Sequence, residues 1–132
     1  MKISNHTSKI GHLENSASKL NFEEDYEALV EIYMLISAHY INAALHKLKI
    51  VKENKDIKHN QIFSFLKEGN KLNEDTETIR DSMKKLDDLR PSHVYGKGKN
   101  GETAKKAKES YKRIKEICSK IIQENNAGTN ER

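Results

Sequence analysis

The sequence is poor in the residues that break or cross-link chains. Its 132 residues include one Cys, one Pro, six Gly and no Trp. The single cysteine, Cys118, excludes an intramolecular disulfide and a zinc site built on cysteines. Sandwiches and barrels need turn residues at short intervals, and Gly and Pro are too few here for those folds. The composition therefore favours long helices.

Long apolar runs are also missing. No uninterrupted run reaches the roughly 18 residues that span a bilayer, and the first residues, MKISNHTSKIGHLEN, lack the apolar segment of a secretory signal. We therefore expect a cytoplasmic protein. The length fits one domain, because single cores occupy roughly 100–200 residues. We assign residues 1–132 to a single helical domain and expect its tail, 125–132, to be disordered.

Apolar residues recur at helical spacing over most of the chain and predict an all-α, up-and-down antiparallel bundle of four to five helices. The predicted helices lie near residues 8–19, 22–48, 58–68, 73–89 and 102–124. Asn21 and Glu24 resemble a capping box at the start of the second helix. Asn73 is placed to cap the fourth helix, Gly69 to end the third, and Pro91 to end the fourth.

The second helix is the most apolar element. Only four polar residues interrupt it between Ala28 and Leu45. A helix that is apolar on most sides must be covered on most sides. We expect a homodimer, because four short, charged neighbours give this helix too little cover within one chain.

A narrow polar stripe runs down the second helix. At 100° per residue, five side chains fall within about 80° of one another: Glu31, His39, Asn42, His46 and Lys49. The stripe either lines a ligand groove or an intersubunit cleft, with His39, Asn42 and His46 as ligand contacts, or finds hydrogen-bond partners within the protein. We predict no metal site and no cofactor, because His39 and His46 stand about 10 Å apart along the helix axis.

The loop RPSHVYGKGKNG brings reactive side chains together at a helix break. Arg90 can hold a phosphate through two donors, and His93 can move a proton near neutral pH. Tyr95 would orient the substrate, and Lys97 and Lys99 would add attraction for phosphate. The alternative is a structural corner, in which proline sets the turn and Arg90 caps the last carbonyls of the fourth helix.

Positive charge is concentrated near the C-terminus. The formal net charge is +4, and residues 97–120 hold nine Lys and Arg against three acids. The last helix either follows a nucleic-acid backbone or is an ordinary solvated helix. The second interpretation rests on charges that alternate at i, i+4, with Glu109 and Arg113 as one such pair.

With these residues in place, the chain resembles the HEPN superfamily, small helical domains of prokaryotes often encoded beside minimal nucleotidyltransferases. The resemblance covers residues 8–122 and rests on the helix pattern, the stretch HYINAALHKL, and LRPSHVYG before NGETAKKAKESYKRI. It implies a helical bundle that dimerises and binds RNA or nucleotides, as in toxin–antitoxin modules, without a cofactor.

The catalytic signature of that family is Arg-x4–6-His, with a Tyr shortly after the His. Tyr95 lies two positions after His93, as in the family, but only two residues separate Arg90 from His93. The resemblance therefore implies a binding module with weak or lost ribonuclease activity. Arg90, His93 and Tyr95 would carry any metal-independent RNA cleavage. The alternative is a protein-interaction or structural subunit that partners a nucleotidyltransferase or another protein.

Overall fold

A computed structural model describes residues 1–90 and 100–124, and within these ranges the chain is an all-α bundle without strands. Its helices are α1 (Ile3–Ser18), α2 (Tyr26–Lys47), α3 (Ile62–Leu66), α4 (Thr76–Asp88) and α5 (Asn100–Gln123). Short 3₁₀ turns at His59–Gln61 and Asn73–Asp75 precede α3 and α4. The predicted fold class is confirmed, whereas the predictions for 91–99 and for the tail 125–132 lie outside the described residues.

α2 and α5 pack closely and run in the same direction. The rings of Tyr33 and Tyr111 stack with their centroids 5.0 Å apart. Earlier in both segments, Gly101 lies against the Glu23 side chain. These two contacts occur in the same order along both segments, so α2 and α5 are parallel.

α1 and α4 run opposite to α2. His6, near the start of α1, meets His46 near the end of α2, with ring centroids 5.3 Å apart. Arg90, just after α4, meets Glu31 near the start of α2, with Nε 3.0 Å from Oε2. The four long helices therefore alternate in direction along the chain, as the sequence pattern predicts.

α2 is covered by other helices of the same chain. Several of its side chains have no exposed surface: Leu29, Val30, Ile36, Ile41, Ala43, Ala44 and Leu45. By length and composition α2 is apolar enough to cross a membrane, with a mean hydropathy of 1.4, yet 72% of that window is buried inside the bundle. α2 therefore does not need a second chain to cover it. Homodimerisation stays a prediction without that support.

α1 begins earlier than the sequence pattern indicates. It starts at Ile3 rather than near residue 8. The inward positions of its first half are His6 and Ile10, which are 2% and 4% exposed. Histidine does not count as an apolar residue, so the apolar periodicity of the sequence does not reveal the first turns of α1.

The capping box predicted at the start of α2 forms with Asp25 in place of Glu24. Asn21 Oδ1 accepts hydrogen bonds from the backbone N–H groups of Glu23 and Glu24 at 2.8 and 2.9 Å. The reciprocal acceptor is Asp25, whose Oδ2 accepts from the Asn21 N–H at 2.8 Å, rather than Glu24. A turn therefore occupies residues 22–25, and α2 begins at Tyr26.

Asn73 does not cap α4, so that prediction was wrong. The N-cap position is Asp75, which makes no side-chain cap hydrogen bond. Thr76 closes the preceding turn: its Oγ1 accepts from the Leu72 N–H at 2.8 Å and donates to the Asn73 carbonyl at 2.7 Å. Asn73 adopts a left-handed φ of 60° in the preceding turn. Gly69 has the left-handed φ of 72° that suits a glycine after a helix end.

Two leucines of α2 test this assignment of the core. Leu45 has no exposed surface, whereas Leu35 is 38% exposed. We expect Leu45→Ala to lower the free energy of unfolding by about 2–5 kcal/mol, because it leaves a cavity. Leu35→Ala should cost less than about 1 kcal/mol. Urea denaturation followed by circular dichroism measures both, and equal losses would contradict a covered α2.

Candidate functional site

Arg90 joins the end of α4 to α2, at the point where the predicted phosphate-binding loop begins. Its Nε donates to Glu31 Oε2 at 3.0 Å, and its Nη1 lies 3.6 Å from Asp87 Oδ1. The hydrogen bond to Glu31 raises the pKa of the guanidinium above its ordinary value. Arg90 therefore braces a corner of the bundle, and Glu31 of the polar stripe has an internal partner.

The remaining residues predicted for this site cannot be compared with the structure. His93, Tyr95, Lys97 and Lys99 lie outside the described residues. Their roles in catalysis and phosphate attraction stay predictions.

A groove of about 360 Å³ lies between the end of α4 and α5. Its walls carry three basic and two acidic side chains: Lys85, Lys106, Arg113, Asp88 and Glu109. Asp88 forms an ion pair with Lys84 at 3.3 Å. Leu89 adds an apolar wall next to Arg90.

The predicted i, i+4 pairing of Glu109 with Arg113 is not among the ion pairs within the described residues. Lys85 and Lys106 likewise form no ion pair with the described acids. These three cations can therefore turn towards a ligand without first breaking an ion pair to the described part of the chain.

A second set of polar residues gathers at the other end of α2. His46 Nε2 lies 2.8 Å from Asp56 Oδ1, and His6 Nε2 lies 3.0 Å from the same oxygen. His46 Nδ1 lies 2.9 Å from the Val51 carbonyl oxygen, and His6 Nδ1 lies 2.9 Å from His39 Nδ1. We call His6, His39, His46 and Asp56 the histidine–aspartate cluster.

Burial sets the electrostatics of this cluster. The side chains of His6 and His46 are 2% and 0% exposed, whereas that of Asp56 is 34% exposed. Burial lowers the pKa of His6 and of His39 below the ordinary value for histidine. Burial alone would raise the pKa of Asp56, but hydrogen bonds from His46 and His6 outweigh it and lower that pKa. The cluster therefore favours an ionised carboxylate beside neutral His6 and His39 rings.

Asn42, the other predicted ligand contact, has a structural role. Its Nδ2 donates to the carbonyl oxygens of Ala38 and Ile57 at 3.0 and 2.9 Å. Its Oδ1 accepts from the Ile57 N–H at 2.7 Å. Asn42 thus satisfies both backbone groups of Ile57 and fastens the connection after α2 to the helix. Asn42, His39 and His46 all have partners within the protein, as the second interpretation of the stripe proposed.

Sequence reasoning missed two members of the cluster, His6 and Asp56. His6 is 33 residues from His39, and Asp56 is 10 residues from His46. No fixed spacing connects them, because α1, α2 and an irregular connection bring them together only in the fold. The one available signal was a histidine at an inward position of α1.

No protein-family model, curated protein or solved structure matches this chain. The HEPN resemblance stays a prediction that rests on the helix pattern and motifs quoted above.

A double-mutant cycle tests Arg90 as a brace. We expect Arg90→Ala and Glu31→Ala to show a coupling energy of roughly 0.5–1 kcal/mol in the free energy of unfolding, because the pair is partly exposed. Arg80 and Glu77, an i, i+3 pair within α4 at 3.8 Å, serve as the control and should couple by about 0.3 kcal/mol or less. Urea denaturation measures both cycles. Zero coupling at Arg90 would remove the brace and leave its guanidinium free for a ligand.

Proposed function

We propose that this chain is an RNA- or nucleotide-binding module of the HEPN type that holds phosphate groups in the groove between α4 and α5. The observation that carries the proposal is the convergence of Lys85, Lys106 and Arg113 on that groove. The groove lies beside Leu89, directly before Arg90 and the loop with the predicted phosphate contacts.

The three cations supply complementary kinds of phosphate contact. Arg113 offers a planar fork of donors, which suits two phosphate oxygens at once. Lys85 and Lys106 act as point charges that neutralise neighbouring phosphates. The apolar wall at Leu89 supports contact with a ribose or a base edge.

The acids of the groove limit its attraction for a polyanion. Asp88 is already paired with Lys84, which leaves Glu109 as the opposing charge. The excess of positive charge over residues 97–120 supplies the long-range attraction. The groove therefore suits a few phosphates of a single strand or one nucleotide better than a long duplex.

The proposal is for binding without efficient catalysis. A catalytic Arg90 would have to exchange Glu31 and Asp87 for a phosphate. The enzymatic version is a metal-independent ribonuclease with Arg90, His93 and Tyr95 as its residues. It predicts that His93→Ala abolishes RNA cleavage while RNA binding persists.

A protein-interaction role is the second candidate. A groove of about 220 Å³ lies between α2 and the α3–α4 segment, with Met34, Phe63 and Met83 among its walls. Leu35, on the same helix as Met34, is 38% exposed. Met34 and Met83 are already buried, so a second copy of the chain or a nucleotidyltransferase-type partner would contact mainly Leu35 and the half-buried Phe63. Sedimentation of the purified chain at micromolar concentration tests for the second copy. One chain has a mass of 15.2 kDa, so a species of about twice that mass indicates the homodimer.

The binding proposal is tested with a fluorescently labelled short RNA and anisotropy. Three phosphate contacts on a single strand should weaken binding roughly 20-fold between about 50 and 200 mM salt. Lys106→Ala and Arg113→Ala should each weaken binding several-fold and reduce the salt slope by about 1.

Lys112→Ala is the matched control, because Lys112 is an exposed lysine of α5 that does not line the groove. Its loss should change affinity less than about twofold. Equal effects of Lys106→Ala and Lys112→Ala would contradict a site in the groove. If the wild-type chain shows no salt-dependent binding, the protein-partner role is the better conclusion.

A further inference from the structure

The histidine–aspartate cluster lies away from the groove between α4 and α5, in which we propose phosphate binding (the phosphate groove), and contains donor atoms suited to a metal ion. His6 Nε2, His46 Nε2 and Asp56 Oδ1 come from three separate segments and lie within 4.8 Å of one another. In a tetrahedral site with metal–ligand distances of about 2.0–2.1 Å, neighbouring ligand atoms stand about 3.3 Å apart. The observed 2.8 and 3.0 Å from Asp56 to the two nitrogens need an outward shift of about half an ångström or less. The two histidine nitrogens lie within 4.8 Å of each other, and they must approach to the same spacing of about 3.3 Å when the ion binds.

The outer hydrogen bonds fix the orientation of both rings, with each Nε2 directed at Asp56. The Val51 carbonyl oxygen can only accept, so His46 Nδ1 carries a proton, and a metal ion can replace the proton that His46 Nε2 shares with Asp56. His6 can donate its Nδ1–H to His39 Nδ1, so a metal ion can likewise replace the proton between His6 Nε2 and Asp56. Ligating histidines in metalloproteins generally donate their other N–H to such a partner.

A positive centre lies between these atoms, because a ring lone pair and a carboxylate oxygen 2.8 Å apart repel each other without a proton or a metal ion between them. The N-terminal ammonium of Met1 also lies 3.3 and 3.2 Å from the two Asp56 oxygens and neutralises part of the carboxylate charge. A proton satisfies one nitrogen at a time, whereas a metal ion satisfies both nitrogens and the carboxylate together. We propose that His6, His46 and Asp56 bind one divalent transition-metal ion.

The chemistry of the donors narrows the class of ion. Two imidazoles and one carboxylate suit zinc, iron(II), cobalt or nickel, whereas magnesium and calcium prefer oxygen ligands. Asp56 is 34% exposed, so an ion can reach the site from solvent. Three protein ligands leave a coordination position for water or a small ligand. The prediction of no metal compared only His39 with His46 along α2, and it could not include His6 and Asp56.

The competing explanation is a purely structural network. A proton between His46 and Asp56 would pin the connection after α2 to α1 and α2 without any metal. The two explanations differ in stoichiometric metal affinity and in the effect of metal on stability, since an ion that binds the folded chain alone raises its melting temperature.

The first experiment titrates the tag-free, chelator-treated full chain with zinc by calorimetry. We expect one ion per chain and a melting temperature that rises with zinc. His39→Ala should weaken zinc binding about 10- to 100-fold, because it removes only the outer partner of His6. Asp56→Asn keeps the shape of the side chain but loses its charge, and should weaken binding by more than that.

His12→Ala is the control, because His12 is an exposed histidine of the same helix as His6. It should leave zinc affinity unchanged. No saturable binding to the wild type, or equal losses for His12→Ala and Asp56→Asn, would overturn the proposal.

A second experiment needs no variant and therefore does not depend on their folding. The imidazole signals of the wild-type chain are followed by NMR as zinc is added. The signals of His6 and His46 should shift together and saturate at one equivalent, with those of His12 and His59 unmoved. Shifts confined to His12 or His59 would show that zinc binds elsewhere and that the cluster is structural.

Discussion

The burial of α2 is the constraint on which the rest of the structure depends. This helix is apolar on nearly every side, and seven of its apolar side chains between Leu29 and Leu45 have no exposed surface. Only helices on several sides can cover such an element. α1, α4 and α5 pack around it and supply that cover within one chain.

The same burial determines the polar chemistry of the protein. A polar group on a covered helix is costly unless it is hydrogen-bonded. Ser37 bonds the Tyr33 carbonyl within α2, whereas others have partners in other segments. Glu31 recruits Arg90 from the end of α4, Asn42 recruits the backbone of Ile57, and His46 recruits Asp56. The polar stripe of α2 therefore fastens irregular segments to the core. It also brings together titratable groups that lie far apart in the sequence.

The two proposed sites, for phosphate and for a metal ion, lie at opposite ends of α2. Glu31 and His46 are 15 residues apart on one helix, or about 22 Å along its axis. The phosphate groove lies near the Arg90 end and the histidine–aspartate cluster near the other. At that separation charges are largely screened at physiological ionic strength. A ligand at one site would affect the other only through the packing of the helices, so the two proposals can succeed or fail independently.

The sequence by itself determined the fold class, the number of helices and the identity of the core helix, because helical periodicity and the scarcity of Gly and Pro are local properties. It placed helix ends less well where a side chain outside the pattern decided them, as Asp25 did at the start of α2. It singled out His46 and Arg90 as residues with chemistry but assigned neither its partner. Only the tertiary structure decided that His46 meets His6 and Asp56, and that Arg90 meets Glu31. Those contacts join segments up to 59 residues apart, and no spacing along the chain encodes them until α2 is buried.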